Sequence, residues 1–228
     1  MFIPSAGWGN VILRLSDLCF KHKNPVVHSS INIIKKGIEF HGFTITDEDL
    51  EETKTDIYIN PYYYQMIHPL SRQIVKPTIE MQGLINKNMH LIGEAGIHIR
   101  RGAYSPDSFH VGKFPFCHDS ALEKFKIIIK NSKSFIFLAS DSVNLKNELV
   151  NEFPDKIKIV NVLSVMDSDD PVNSTNQQYM DCYLEWFLLS KCPKLYITGG
   201  NQSTGNEIST FGYSAAVYGN KPLEIIFN

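Results

Sequence analysis

His98-Ile99-Arg100-Arg101-Gly102 sets two guanidinium groups directly behind a short apolar run that begins at Gly96. Burying either group is unfavourable unless an anion meets it. Arginine's planar fork grips a phosphate or carboxylate through two parallel hydrogen bonds, which the point charge of lysine does not reproduce. The pair therefore fits either a surface turn with one arginine on a local carboxylate, or an anion site, above all one for phosphate. A second polar cluster, Gly199-Gly200-Asn201-Gln202-Ser203-Thr204-Gly205-Asn206-Glu207-Ile208-Ser209-Thr210, separates an apolar run from a helical pattern. Its glycines allow close backbone approach, and hydroxyls beside free N–H groups at a helix start suit phosphate. It is not a P-loop, because no Gly-Lys-Ser/Thr occurs in it. Gly7-Trp8-Gly9-Asn10 reads equally as a tight turn needing positive φ or as a ligand-facing loop at a helix start.

Three acids stand near these clusters. Asp141, in Ser140-Asp141-Ser142, follows a strand-like run and precedes a helix. It fits a helix N-cap, a ligand contact, or both. Asp181 and Glu185 lie four apart, on one helix face, where like charges are mildly unfavourable. Such a face is either solvated or shares an external hydrogen-bond donor.

The surrounding pattern supplies the elements that must position these groups. Val11 to Phe20 has helical spacing, behind a brief strand at Phe2-Ile3-Pro4. Strands are expected at Pro25 to Val27, Gly37 to Ile45 and Asp56 to Ile59, with a small acidic helix from Asp47 to Thr53. Tyr62-Tyr63-Tyr64 has no flanking arginine or lysine and reads as packing. Leu70 to Asn88 is expected to be helix, interrupted at Pro77. From Leu91 onward the alternation is regular. Strands are expected at 97–100, 134–139, 156–160, 194–198 and 223–227, and helices at 121–130, 144–153, 177–190 and 208–218. That order predicts α/β architecture, a parallel sheet with both faces covered, and ligands at the carboxyl ends of its strands. A boundary at Lys87-Asn88 divides the chain into a small α/β domain, 1–88, and a larger one, 89–228.

Composition removes several function classes. The 228 residues are 43% hydrophobic and 20% charged, with net charge −2, so there is no nucleic-acid footprint. Cys19, Cys117, Cys182 and Cys192 are scattered without metal-ligand spacing, which predicts reduced thiols and no metal site. No signal peptide and no apolar run of membrane-spanning length is evident, so a cytoplasmic protein is expected and the sequons at Asn173 and Asn201 carry no glycan.

His98-Ile99-Arg100-Arg101-Gly102 resembles the His-x-Arg-Arg motif of the α1,2/α1,6- and protein O-fucosyltransferase superfamily. Phe137-Leu138-Ala139-Ser140-Asp141-Ser142, with the helix and Pro154 behind it, is similar to that group's second motif. Glu185-x-x-x-Leu189-Ser190-x-Cys192, followed by Ser209-Thr210-Phe211, resembles the third, and Gly7-x-Gly9-Asn10 resembles the early Gly-x-Gly-Asn turn. The resemblance covers the chain from about residue 92 onward and is thin before that.

It implies a GT-B-like enzyme with two Rossmann-like domains, the N-terminal acceptor-side one small. Fucose would be transferred from GDP-fucose to a glycan or other hydroxyl acceptor, with inversion, no metal and no cofactor. Carried over by position, Arg100 would hold the β-phosphate and act catalytically. His98 would touch guanine or ribose, and Ser209, Thr210 and Phe211 would line the diphosphate. Glu185 would read guanine N–H groups, with Asp181 one turn earlier as its alternate. Arg101, Asp141, Gly7, Gly9 and Asn10 complete the expected donor site. Ala103 stands where the motif has aspartate, and about nine extra residues precede Ser209, so Ser203-Thr204 is a rival phosphate-binding pair. Asp17, Glu94 and Asp107 neighbour the motifs and are candidate general bases. A catalytically inactive nucleotide-sugar or glycan-binding module of the same fold, or a transferase using another GDP-sugar, is the alternative.

Overall fold

The computed structural model describes residues 8–28, 37–46, 71–101, 116–160, 176–200 and 208–228. Gly7, Ala103, Asp107, Ser203, Thr204, the elements expected at 2–4, 47–53 and 56–59, the tyrosines at 62–64 and both sequons lie outside the described residues, as does the side chain of Asn10.

Five parallel strands form the main sheet: β5 (Ala95–Ile99), β6 (Ile136–Ser140), β7 (Ile157–Lys158), β8 (Leu195–Thr198) and β9 (Leu223–Ile226). Their spatial order is β7-β6-β5-β8-β9. The chain thus winds outward one way from β5, then returns to β5's other side, and the direction switches between β5 and β8. In such sheets the ligand crevice opens at that switch, outside the carboxyl ends.

Binary patterning sets the layers. On β6, Ile136 and Leu138 face one core, while Phe137 and Ala139 face another. The first core receives α3 (Asp119–Asn131) through Ala121, Leu122, Phe125 and Ile129, and α4 (Val143–Glu152) through Leu145 and Leu149. The second receives α5 (Asn176–Lys191), α6 (Thr210–Gly219) and α1 (Trp8–Lys21). Both faces are covered, so the strands are apolar along most of their length.

The smaller elements of the amino-terminal part join the second core. They are β1 (Val26–His28), β2 (Ile38–Phe40), β3 (Thr44–Thr46), β4 (Val75–Pro77) and α2 (Ile79–Asn88). Strands β1 and β3 pair in parallel. The antiparallel β2–β4 ribbon is an addition to the expected parallel pairing. Val27, Ile38, Val75, Met81 and Ile85 lie in one apolar cluster with Tyr183, Trp186 and Val217.

Two expected elements differ. The run from Gly37 to Ile45 is two strands, because Gly42 turns the chain at φ +84°. The expected helix from Leu70 to Asn88 contains β4 instead, and its helical part restarts at Ile79. Pro77 ends an edge strand, where its missing N–H leaves no gap in a ladder. Thr78 then caps α2, its hydroxyl accepting from the Met81 N–H at 3.2 Å.

Candidate active site at the carboxyl edge of the sheet

β5 is buried along its whole length, and it delivers His98, Arg100 and Arg101 to the switch point. The Arg100 N–H donates to Thr198 Oγ1 on β8 at 3.1 Å, which joins the two strand ends that flank the crevice. Thr198 in turn donates to the His98 carbonyl at 3.3 Å. The Arg100 guanidinium carbon lies 5.2 Å from the centroid of the Phe116 ring, a cation–π distance. Phe116 belongs to a segment tied to the same strand end, since Cys117 N–H donates to the Arg100 carbonyl at 2.7 Å.

The neighbouring arginine does something else. Arg101 pairs with Asp119 at the start of α3 and donates to the Cys117 carbonyl at 3.0 Å. Its N–H donates to Asp141 Oδ1 at 2.6 Å. Of the two readings for the pair, the local carboxylate partner applies to Arg101. Asp141 therefore receives a strand-end N–H, and the N-cap of α4 is Ser142, whose hydroxyl accepts from the Leu145 N–H at 3.2 Å.

The other wall is α6. Ser209 is its N-cap residue, Thr210 its first residue, and Phe211 stacks near His98 with ring centroids 4.9 Å apart. Ser209 Oγ lies 3.3 Å from His98 Nδ1. A Cβ on Gly212 would sit 2.6 Å from Ile197 and 3.0 Å from His98, so glycine lets the first turn of α6 lie directly on β5 and β8. The first N–H groups of that turn have no partner within the helix itself. Burial, aided by the positive charges of Arg100 and Lys146, pushes His98 down to about 3, which keeps its imidazole neutral.

Gly9 is also brought here, for a third reason. It lies inside α1, and a Cβ on it would fall 2.2 Å from the Thr210 carbonyl carbon. The two helix starts meet backbone to backbone.

Glu185, the expected guanine reader, is committed to a partner within the protein. Its carboxylate accepts from Lys146 Nζ at 2.5 Å, and both side chains are buried. Burial pushes the Glu185 carboxyl up, with the Lys146 ammonium pulling against that shift. Asp181 is only half-buried and accepts from Gln177 Nε2 at 2.8 Å; burial also raises its pKa.

Two of the candidate bases, Glu94 and Asp17, are placed elsewhere. Glu94 precedes β5 at the opposite edge of the sheet and accepts from the N–H groups of Lys133 and Ser134. Asp17 is buried in the second half of α1, its Oδ2 accepting from Lys21 at 2.8 Å and its Oδ1 without a hydrogen bond among the described residues. All four cysteines are free, and burial raises Cys19 to about 11 and Cys117 to about 12. Among the described residues no cluster of His, Cys, Asp and Glu suits a metal ion, and no helix is long and apolar enough to cross a membrane.

Lys146, Thr198 and Gly212 escaped the reading of the sequence. A lysine in the first turn of a helix opposes the macrodipole, and a glycine inside a helical pattern suggests close approach. Those were the available signals. Thr198 left none.

Fold and site together define a Rossmann-like α/β protein whose carboxyl edge carries a buried neutral histidine against a helix start, with an arginine at the end of the same strand. No protein-family model and no curated protein matches the chain. Among solved structures, it is similar to the fucosyltransferase NodZ from Bradyrhizobium, at 16% identity over 64% of this chain and 44% of that one, with TM-score 0.40. It is similar to NodZ alpha-1,6-fucosyltransferase soaked with GDP-fucose, at 14% identity over 91% of this chain and 57% of that one, with TM-score 0.42. It is also similar to POFUT1 in complex with GDP, at 10% identity over 73% of this chain and 50% of that one, with TM-score 0.44. The chain spans 44% to 57% of the length of these proteins.

Proposed function

We propose that the protein is a glycosyltransferase that binds a nucleoside-diphosphate sugar at the β5/β8 switch point, with GDP-fucose as the donor and a glycan or other hydroxyl as the acceptor. Residues 89–228 hold the donor in this reading, and residues 1–88 contribute to the acceptor side. One observation carries it: Arg100 emerges at the strand end that faces the N-terminus of α6, with His98 and Ser209 buried together beneath it.

The chemistry follows from that placement. The acceptor oxygen attacks the anomeric carbon as the bond from that carbon to the diphosphate breaks. The bonding electron pair leaves on the β-phosphate oxygen. A guanidinium and aligned N–H donors stabilise that growing charge, and the sugar passes through an oxocarbenium-like state. Attack from the face opposite the leaving group inverts the anomeric centre. In this reading Arg100 takes the role a metal ion would otherwise fill at the diphosphate. The acceptor's proton goes to a general base.

Calorimetry with GDP tests the reading, using the wild type and Arg100→Ala. Truncating a charged hydrogen-bonding partner is expected to weaken binding by about 2 kcal/mol, roughly 30-fold. Equal affinity of the two proteins removes Arg100 from the site. A second reading, a binding module without turnover, is favoured by the placement of Glu94 and Asp17, both engaged away from the crevice. Incubation with GDP-fucose and an acceptor panel decides between them: tight binding without product supports the module.

A further inference from the structure

We infer that Asn228 is a positioning residue for Arg100: its carboxamide fixes the segment Phe116-Cys117-His118, and that segment holds the guanidinium where the diphosphate binds. The inference rests on the nucleotide-binding reading above and adds a residue to it.

The segment is gripped from two sides. An extended chain points the backbone groups of successive residues to opposite edges. Both backbone groups of Cys117 meet the end of β5. Its N–H donates to the Arg100 carbonyl at 2.7 Å, and its carbonyl accepts from the Arg101 guanidinium at 3.0 Å. The groups that point the other way are the Phe116 carbonyl and the His118 N–H, and Asn228 takes both. Its Nδ2 donates to the Phe116 carbonyl at 2.9 Å, and its Oδ1 accepts from the His118 N–H at 2.8 Å. The side-chain amide thus stands in for a peptide group of a neighbouring strand. Asparagine suits this place because it offers a donor and an acceptor together, whereas an ionised aspartate could serve only the N–H.

Asn228 is itself anchored. It lies two residues beyond Ile226, the end of β9, and the carbonyl of the intervening Phe227 accepts from Lys124 on α3 at 2.7 Å. Strand β8 lies between β5 and β9. The segment therefore joins the ends of the two strands that flank β8, whose Thr198 receives the Arg100 N–H. Phe116 is 4% exposed, so displacing its ring would leave a void. The Arg100 guanidinium lies over that ring. A side chain as long as arginine has many rotamers, and a fixed ring selects among them. Releasing the clamp leaves every charged group present but lowers the share of molecules with Arg100 placed for the ligand. Affinity falls by that share.

The test measures GDP and GMP binding by calorimetry, since GMP lacks the β-phosphate that Arg100 holds in this reading. The proteins are wild type, Asn228→Ala, Phe116→Leu, Arg100→Ala and the double variant Arg100→Ala/Asn228→Ala, with thermal unfolding to confirm that each is folded. Asn228→Ala is expected to weaken GDP roughly fivefold, the worth of one neutral hydrogen bond, and to leave GMP binding unchanged. Phe116→Leu keeps apolar bulk but removes the ring, and should have the same effect. In the Arg100→Ala background, Asn228→Ala should weaken GDP no further, because the group it positions is gone. Three results overturn the inference while the nucleotide reading stands: equal weakening of GDP and GMP, the full loss recurring in the Arg100→Ala background, or wild-type GDP affinity in Asn228→Ala. If Asn228→Ala does not fold, Phe116→Leu decides, and wild-type GDP affinity there overturns the inference. Absence of wild-type GDP binding, or unchanged affinity in Arg100→Ala, removes the reading itself, and the inference falls with it.

Discussion

The two edges of the main sheet handle charge in opposite ways. At the amino edge, charged side chains are exposed and serve the backbone or one another. Glu94 takes the N–H groups of Lys133 and Ser134, and Lys194 pairs with Glu224 at 2.7 Å, with the two side chains 38% and 51% exposed. At the carboxyl edge, His98, Lys146 and Glu185 are buried, and Arg100 stands among them. Water solvates the first set without help, so it demands nothing of the fold. The second set is sustained only by mutual pairing, close helix approach and, in our reading, a ligand.

That contrast gives measurable differences. The largest concerns the two lysine–glutamate pairs. Lys146→Met leaves Glu185 charged and buried, and is expected to lower unfolding stability by about 3–5 kcal/mol in denaturant titrations. Lys194→Met, at the exposed pair, should change it by about 1 kcal/mol or less. Similar losses from both substitutions would erase the distinction between the edges.

The pH dependence is next. Below 6.5 the unfolded chain protonates His98, whereas the folded chain does not until about 3. The contribution of this residue is therefore constant above 6.5, and stability declines as pH falls below it, by up to about 1.4 kcal/mol per unit. Urea titrations at pH 7, 6 and 5 should show this slope in the wild type and a shallower one in His98→Asn. Equal slopes would mean that His98 is protonated in the folded protein.

The third contrast uses two glycines. Gly9→Ala drives a methyl group into the Thr210 backbone and is expected to destabilise by about 1–3 kcal/mol. Gly83, inside α2, has open space around it, and Gly83→Ala should stabilise by about 0.5–1 kcal/mol. Thermal melts read both signs, and a neutral Gly9→Ala would show that the two helix starts are not packed together.

The sequence disclosed the parallel sheet because most strands from 95 onward lie in apolar runs bounded by turns, α3 carries an amphipathic stripe, and α5 and α6 are apolar nearly all round. The amino-terminal part was less legible. Its strands are three residues long, and Val75–Pro77 continues without a break into residues of helical spacing. Arg100 and Ser209 were readable because their types are unusual at strand and helix ends. Which arginine would be tied down was not, since Asp119 lies 18 residues away and only the return of the chain at Cys117 brings it near. The Lys146–Glu185 pair joins residues 39 apart on opposite faces, and no local pattern encodes that meeting.

A crystal structure with GDP bound tests the central claim most directly. The account predicts the diphosphate between the Arg100 guanidinium and the N–H groups that open α6, with Ser209 alongside. Diphosphate density away from β5 and β8, with the Arg100 side chain turned onto a carboxylate of the protein, would contradict it.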